Sequence, residues 1–305
     1  MPPYLQPGDT IGITCPASPM DAKDLADCRN AFQRWGFKMA YGNTVNKHWQ
    51  RFGGTDAERA ADLQQMLEDD SINAIMFARG GYGVMRIIDK VDWSAFARKP
   101  KWLIGFSDIT VFHSHINSQF NIATLHSKMC NSFPADWSTA ELAQKETIES
   151  IGSCLKGKMM QYNGPLSAFN KIGSTTGLLV GGNLRTIENL AGTSSDLDTK
   201  NKILFLEDTG EYLYSIDRMF WNLKRTGKLT NLKGLILGGF KIKPDDPGEE
   251  FGRSLEQIVL EKVAEYSYPV CFGFPIGHQK NNYAIKCNMH HTLNVDRNGS
   301  LLLSA

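Results

Sequence analysis

The sequence lacks the patterns that typify membrane-spanning and disulfide-stabilised proteins. No segment approaches the roughly 20 apolar residues that a membrane helix requires. Residues 1–9 show no basic stretch leading into an apolar one, so no secretory signal is indicated. The six cysteines form no C-x-x-C pair and have no regular spacing, which argues against zinc and against a disulfide framework. We therefore expect a cytoplasmic protein with reduced, mostly buried cysteines.

The sequence also has almost no net charge and no standard phosphate-binding motif. The formal net charge is +1, without a block of like charges, so neither a nucleic-acid partner nor a membrane partner is predicted. The glycines of Arg79–Gly83 fit neither G-x-G-x-x-G nor the Walker pattern. With 305 residues, 42% of them hydrophobic, the chain is long enough for two soluble domains. These properties favour chemistry on a small molecule.

Short apolar strands alternate with amphipathic helices in the first half of the sequence. Such alternation predicts a mainly parallel sheet with helices on both faces. Thr55–Glu58 is a capping box that opens one helix, and Ser138–Glu141 is expected to cap the last one. Residues 156–174 are rich in Gly, Lys, Asn and Pro and lack periodicity, which indicates a linker. We predict an N-terminal domain over 1–155 and a C-terminal domain over 175–305.

The second half continues the alternation and then changes character. Strands are predicted at 177–180, 203–207, 234–240 and 269–274, and helices at 216–224 and 254–266. Residues 291–295 and 301–304 flank Asp296–Gly299, which is a hairpin signal. The C-terminal part is therefore predicted to be α/β as well, with an antiparallel end.

Ser107 stands where the apolar run 102–106 passes into a helical pattern. A strand-to-helix corner exposes a serine hydroxyl and places unpaired N–H groups of the helix N-terminus beside it. Those groups carry partial positive charge and suit an oxyanion. The alternative is that Ser107 or Asp108 is merely a helix N-cap, because both residue types are favoured caps.

Three further clusters follow predicted strands, at the edge where parallel sheets bind ligands. They supply a glycine turn (79–83), the carboxylate of Glu207 and the imidazole of His278. With Ser107 these are the parts of a serine hydrolase: nucleophile, base, orienting acid and oxyanion donors. Each has a plainer alternative: a structural glycine turn, a solvated acid or a surface histidine. The pairs His113/His115 and His290/His291 lack the i,i+4 spacing of a helical metal site, so a metal is disfavoured.

Five motifs, in this order along nearly the whole chain, closely resemble those of the LD-carboxypeptidases. They are Ala-Arg-Gly-Gly-Tyr-Gly (78–83), Gly-Phe-Ser-Asp-Ile-Thr (105–110), Gly-Leu-Leu-Val-Gly-Gly-Asn-Leu (177–184), Leu-Glu-Asp (206–208) followed by Ile216–Arg218, and Gly277–His278 with Asn282 behind it. The family consists of serine peptidases with a Ser-Glu-His triad. It includes relatives that cleave the peptidyl-nucleotide antibiotic microcin C.

The resemblance implies a role for each candidate residue. Ser107 would be the nucleophile, His278 the general base and Glu207 its orienting acid, with the N–H groups of Gly81 and Asp108 as the oxyanion hole. It also implies a flavodoxin-like N-terminal domain, a C-terminal α/β domain, an active site in the cleft between them, no cofactor, and a homodimer.

The expected reaction is removal of a terminal D-alanine from murein-derived peptides. A microcin-type amidase acting on acyl adenylates and a two-domain binding protein without chemistry are the alternatives. Two features depart from the family pattern: the stretch Tyr283–Met289 and Arg185 after Gly-Gly-Asn-Leu. Arginine's planar fork suits a carboxylate, so Arg79 and Arg185 are the candidates for reading the substrate's chain end. Structural ion pairs or solvent exposure are the alternatives for both.

Overall fold

The computed structural model describes residues 1–304, which form two sheets with helices around them. The first part of the chain contains strands β1 (Thr10–Thr14), β2 (Lys38–Tyr41), β3 (Ala74–Phe77), β4 (Trp102–Gly105) and β5 (Thr124–His126). Its helices are α1 (Ala26–Trp35), α2 (Asp56–Glu68), α3 (Ser94–Arg98), α4 (Thr110–Gln119) and α5 (Leu142–Leu155).

The second part supplies eight strands and three helices. The strands are β6 (Gln161–Gly164), β7 (Gly173–Asn183), β8 (Ile203–Glu211), β9 (Gly234–Ile242), β10 (Val270–Cys271), β11 (Ile285–Cys287), β12 (Met289–Asp296) and β13 (Gly299–Ser304). The helices are α6 (Leu184–Leu190), α7 (Leu213–Arg225) and α8 (Leu255–Val263).

The first sheet has the strand order β11-β5-β4-β3-β1-β2. Strands β1 to β5 pair in parallel, in the order 2-1-3-4-5 typical of flavodoxin-like folds. Separate apolar clusters pack against the two faces of this sheet, which explains why its central strands are uniformly apolar. The predicted α/β class and parallel sheet are confirmed.

The second sheet is mixed, in the order β10-β9-β8-β7-β12-β13-β6. Strands β7 to β10 are parallel, whereas β12, β13 and β6 add to β7 in antiparallel fashion. The predicted hairpin is the turn between β12 and β13, and it is confirmed. The strand predicted at 269–274 is much shorter, because only Val270 and Cys271 pair with β9.

The chain crosses the predicted domain boundaries twice. Strand β6 lies inside the predicted linker 156–174 and pairs with β13 at the edge of the second sheet. Strand β11 comes from the C-terminal part but pairs with β5, where it covers an otherwise open edge of the first sheet. Whether the two parts fold independently stays a prediction.

Helix α5 begins later than the sequence indicated. Its first residue is Leu142, and Glu141, not Ser138, is the residue before it. Ser138 instead donates its hydroxyl to Asp136 at 2.7 Å in the preceding turn, so its side chain is already used. The capping box at Thr55 and Glu58, in contrast, has both of its hydrogen bonds.

The cysteines fit the expectation from composition. All six cysteines are buried and unpaired. Burial raises the thiol pKa of Cys15, Cys271 and Cys287 to about 12. Among residues 1–304, no helix is both long enough and apolar enough to cross a bilayer.

Candidate active site

Ser107 occupies a strained corner between β4 and α4. A single 3-10 turn, Ser107–Ile109, connects the strand to the helix. Ser107 has φ +64°, in the left-handed region that costs a non-glycine residue about 1–2 kcal/mol. Gly80 packs closely beside it, since a Cβ there would lie 3.4 Å from Ser107 Oγ. The corner is therefore strained, and Ser107 lines the cavity at this edge of the sheet.

His278 and Glu207 reach Ser107 from the second sheet. The distance from His278 Nε2 to Ser107 Oγ is 3.2 Å, and from His278 Nδ1 to Glu207 Oε2 it is 2.6 Å. Glu207 lies on β8 and is fully buried, so its carboxylate faces the ring and not solvent. With Nδ1–H donating to the carboxylate, Nε2 is left as an acceptor for the serine proton. The three residues therefore converge from distant parts of the sequence.

A glycine makes the approach of His278 to Glu207 possible. Gly277 has φ +104°, and a Cβ on it would lie 2.5 Å from Glu207 Cβ. Its N–H donates to Asn282 Oδ1 at 2.8 Å, which fixes the bend. Phe106 packs against the His278 ring with centroids 4.8 Å apart. Backbone geometry and ring packing together orient the imidazole.

Two buried charged side chains hold the glycine turn 79–83 in place beside Ser107 through hydrogen bonds. Asp108 Oδ2 accepts the N–H of Val84 at 2.9 Å, and Arg59 Nη1 donates to Gly83 O at 3.0 Å. Gly81 and Asp108 line the same cavity as Ser107. The residues predicted as oxyanion donors thus line the cavity with Ser107, and their catalytic role stays a prediction.

Asp108 gives a pH-dependent prediction for stability. Burial raises the pKa of its carboxyl from 3.8 to about 6, against the opposing effects of the Val84 N–H and Arg59. The native state therefore binds a proton that the unfolded state has released between these values, and this stabilisation is lost as pH rises from about 4 to about 6. The free energy of unfolding is compared between wild type and Asp108→Asn. We expect the difference, wild type minus variant, to be about 2 kcal/mol larger at pH 4.5 than at pH 7.5.

Urea unfolding at the two pH values measures this difference. Asp92→Asn is the control, since hydrogen bonds from Ser94 lower the pKa of the exposed Asp92 carboxyl, so that it is ionised at both pH values and its contribution should not change between them. A wild-type advantage over Asp108→Asn that does not change with pH would contradict the prediction.

Two cavities flank the catalytic candidates. The Ser107-side cavity, of about 540 Å³, includes Gly81, Ser107 and Asp108 in its wall. The His278-side cavity, of about 590 Å³, includes Lys128, His278 and Gln279. Both volumes are in the range of sites that hold small ligands. The geometry therefore offers room for a ligand on either side of the Ser107–His278 pair.

The two candidate arginines are not equivalent. Arg185 lines the Ser107-side cavity, but Glu211 already binds its guanidinium through two hydrogen bonds, of 2.9 and 3.2 Å. Arg79 is exposed and is absent from the lining of both cavities. Arg185 therefore lies at the cleft but is paired with Glu211, whereas Arg79 lies outside it.

Sequence reasoning assigned no role to several polar residues around the site. Asn183 ends β7, accepts the N–H of Thr186 and donates to the buried Asp208. Asn183 N also donates to Thr110 Oγ1 at 3.0 Å, which joins the second sheet to α4. Lys128 follows β5 and donates to Gln279 O at 2.6 Å. Asn183 and Lys128 stand at or just after strand ends, the signal that pointed to Ser107, whereas Asp208 lies inside β8 next to a register shift.

The buried histidines near the site are structural neighbours. His113 Nε2 contacts Gly105 O at 2.8 Å, and burial lowers the pKa of His113 to about 4. His126 packs against Phe106 and Phe205. No three His, Cys, Asp or Glu side chains between residues 1 and 304 are grouped as ligands for a metal ion.

Comparison with known proteins matches both parts of the chain to one family. A family model for the LD-carboxypeptidase N-terminal domain matches residues 11–127, and one for the C-terminal domain matches residues 176–293. The chain is 32% identical over 296 residues to a probable murein peptide carboxypeptidase of Bacillus subtilis, covering 96% of this chain and 91% of the relative. It is 30% identical to the murein tetrapeptide carboxypeptidase of Pseudomonas aeruginosa, covering 90% and 89%.

Solved structures share the fold. A muramoyltetrapeptide carboxypeptidase from Oxalobacter formigenes superimposes with a TM-score of 0.85 at 24% identity, covering 97% of this chain and 98% of that one. A microcin C7 self-immunity protein in complex with aspartyl sulfamoyl adenosine gives a TM-score of 0.86 at 22% identity, covering 100% and 98%. From the family matches over both its parts, we conclude that this chain belongs to the LD-carboxypeptidase family of serine-type peptidases.

Proposed function

We propose that this chain is a serine carboxypeptidase that hydrolyses the amide between an L-centre and the terminal D-alanine of murein-derived tetrapeptides. The observation that carries the proposal is the hydrogen-bonded series from Ser107 Oγ through His278 to the buried Glu207. The names of the relatives from Bacillus subtilis and Pseudomonas aeruginosa support the substrate class.

Acylation follows from this geometry. His278 Nε2 takes the proton of Ser107 Oγ while the oxygen attacks the carbonyl carbon of the scissile amide. The negative charge that develops on the carbonyl oxygen is stabilised by the N–H groups of Gly81 and Asp108. His278 then gives its proton to the amide nitrogen, the C–N bond breaks, and D-alanine leaves. Glu207 stabilises the imidazolium throughout these steps.

Deacylation repeats the sequence with water. A water molecule loses a proton to His278 Nε2 and attacks the acyl-serine ester. The two N–H groups again donate hydrogen bonds to the oxyanion. Collapse of this intermediate breaks the ester bond, and the proton returns to Ser107 Oγ. No step requires a group beyond the side chains and backbone already described.

The test is a paired hydrolysis assay on the purified chain. A murein tetrapeptide ending in D-Ala should release free D-alanine, detected by mass spectrometry, and the same peptide ending in L-Ala serves as the control. An acyl-sulfamoyl adenylate is assayed in parallel, because a microcin-type amidase would turn it over in preference to the tetrapeptide. Turnover of neither compound would contradict the proposal and favour a binding protein without chemistry.

The cytoplasmic location and the homodimer stay predictions. Fractionation of cells that express the chain, and sedimentation velocity at several protein concentrations, measure each of them directly.

A further inference from the structure

The two cavities beside the triad carry opposite charge. The Ser107-side cavity is lined by three carboxylates, those of Asp108, Asp208 and Glu211, and by one cation, Arg185. The His278-side cavity is lined by three lysines, Lys128, Lys241 and Lys280. Among the described residues that form its wall there is no carboxylate. A substrate with an anionic end is therefore attracted to the His278 side and repelled from the Ser107 side.

The mechanism independently decides which part of the substrate lies on the His278 side. The imidazole must hand its proton to the amide nitrogen as the C–N bond breaks, so the leaving residue lies next to Nε2. In a carboxypeptidase the leaving residue is the one that bears the free carboxylate. Charge and chemistry thus place the same group in the same cavity.

Resting on the proposed function, we propose that Lys128 and Lys241 bind the terminal carboxylate of the substrate in the His278-side cavity and so select a chain end. Lys128 lies at the inner wall: its Nζ is 5.5 Å from the centroid of Phe106, the residue before the nucleophile. An ammonium has three N–H donors, and the structure assigns one from Lys128 to Gln279 O. The others are free to meet a carboxylate.

The three lysines differ in how far they are already neutralised. Lys280 is exposed and forms an ion pair with Glu141 at 2.6 Å. Lys241 is exposed at the end of β9, and over the described chain no acidic side chain pairs with it. An unpaired cation at the cavity wall gains more from an incoming carboxylate than a paired one.

The same comparison disfavours the arginines. A carboxylate bound at Arg185 would meet a guanidinium that already donates from Nε and Nη2 to Glu211, whose charge neutralises it. It would also bring a negative charge beside Asp208 and Glu211. Arg79 lies outside both linings. The lysine cavity is consequently the better site for the chain end.

The experiment compares a D-Ala-terminated tetrapeptide with its C-terminal amide, using wild type and the variants Lys128→Gln, Lys241→Gln and Lys241→Arg. Wild type should hydrolyse the free acid about 10- to 100-fold better than the amide, the range expected for a charge-assisted hydrogen bond. Each Gln variant should lose most of this preference by a fall in kcat/KM on the acid alone. Lys241→Arg should retain it.

Lys243→Gln is the matched control, since Lys243 lies on the same segment but contacts the Tyr212 ring, outside the cavity. It should leave both substrates unchanged. Equal losses on acid and amide in Lys128→Gln would overturn the inference, because they would mean that Lys128 serves Glu207 and the triad. A selective loss in Arg185→Gln would overturn it in favour of the Ser107-side cavity.

The outcomes separate the inference from the function on which it rests. Equal hydrolysis of acid and amide by wild type would reject the carboxylate site while leaving the peptidase activity in place. Hydrolysis of neither by wild type would reject the peptidase activity itself.

Discussion

Ser107→Ala is expected to lower kcat for release of D-alanine by about 10⁴-fold or more while the protein remains folded. The change deletes the attacking oxygen and leaves the oxyanion donors in place. Alanine accepts the φ of +64° at the same strain as serine, so the corner between β4 and α4 should persist. D-alanine release and a thermal melt by circular dichroism measure the two properties.

Ser138→Ala provides the matched control for this variant. Ser138 stands in the turn before α5, and its hydroxyl bonds only within that turn, to Asp136. The control should retain wild-type turnover. A Ser107→Ala protein with near wild-type kcat would show that Ser107 is a helix cap and not the nucleophile.

Glu207→Gln is expected to lower kcat by about 10³- to 10⁴-fold with little change in KM. The side chain is fully buried, and its Oε1 has no hydrogen-bond partner within residues 1–304, so glutamine can place its amide nitrogen there and keep its oxygen toward His278. The geometry survives, but the charge that stabilises the imidazolium is gone. Steady-state kinetics on the tetrapeptide separate kcat from KM.

The control for the carboxylate is Glu188→Gln. Glu188 accepts a hydrogen bond from Asn222 of α7 at 2.7 Å and is outside the linings of both cavities, and glutamine can preserve that contact. Turnover by the control should match wild type. If Glu207→Gln kept its kcat within tenfold of wild type, the carboxylate would not act on His278 in the reaction.

The sequence determined the elements that carry the chemistry, because each depends on local pattern. The apolar run before Ser107 marks the end of β4, and Glu207 follows the apolar part of β8, although that strand continues to Glu211. The capping box at Thr55 depends only on residues three apart. Even the strain at Ser107 follows from a sharp strand-to-helix corner.

Features that depend on pairing between distant segments were decided by the tertiary structure alone. Strand β11 is three residues long and exists because β5 offers it a free edge, about 160 residues earlier in the chain. Strand β10 ends early because only two of its residues find partners on β9. Neither pairing leaves a periodicity that a local reading can detect.

The proposed choice of charged groups for the substrate likewise depends on the tertiary structure. Arg185 is a good carboxylate ligand by type, but Glu211, 26 residues away, already pairs with its guanidinium. Lys128 and Lys241 belong to different sheets and are unremarkable in the sequence, yet both enter the wall beside His278. Residue type and spacing fix what a side chain can do, whereas Coulomb energy falls with distance and depends on which charges the fold brings together.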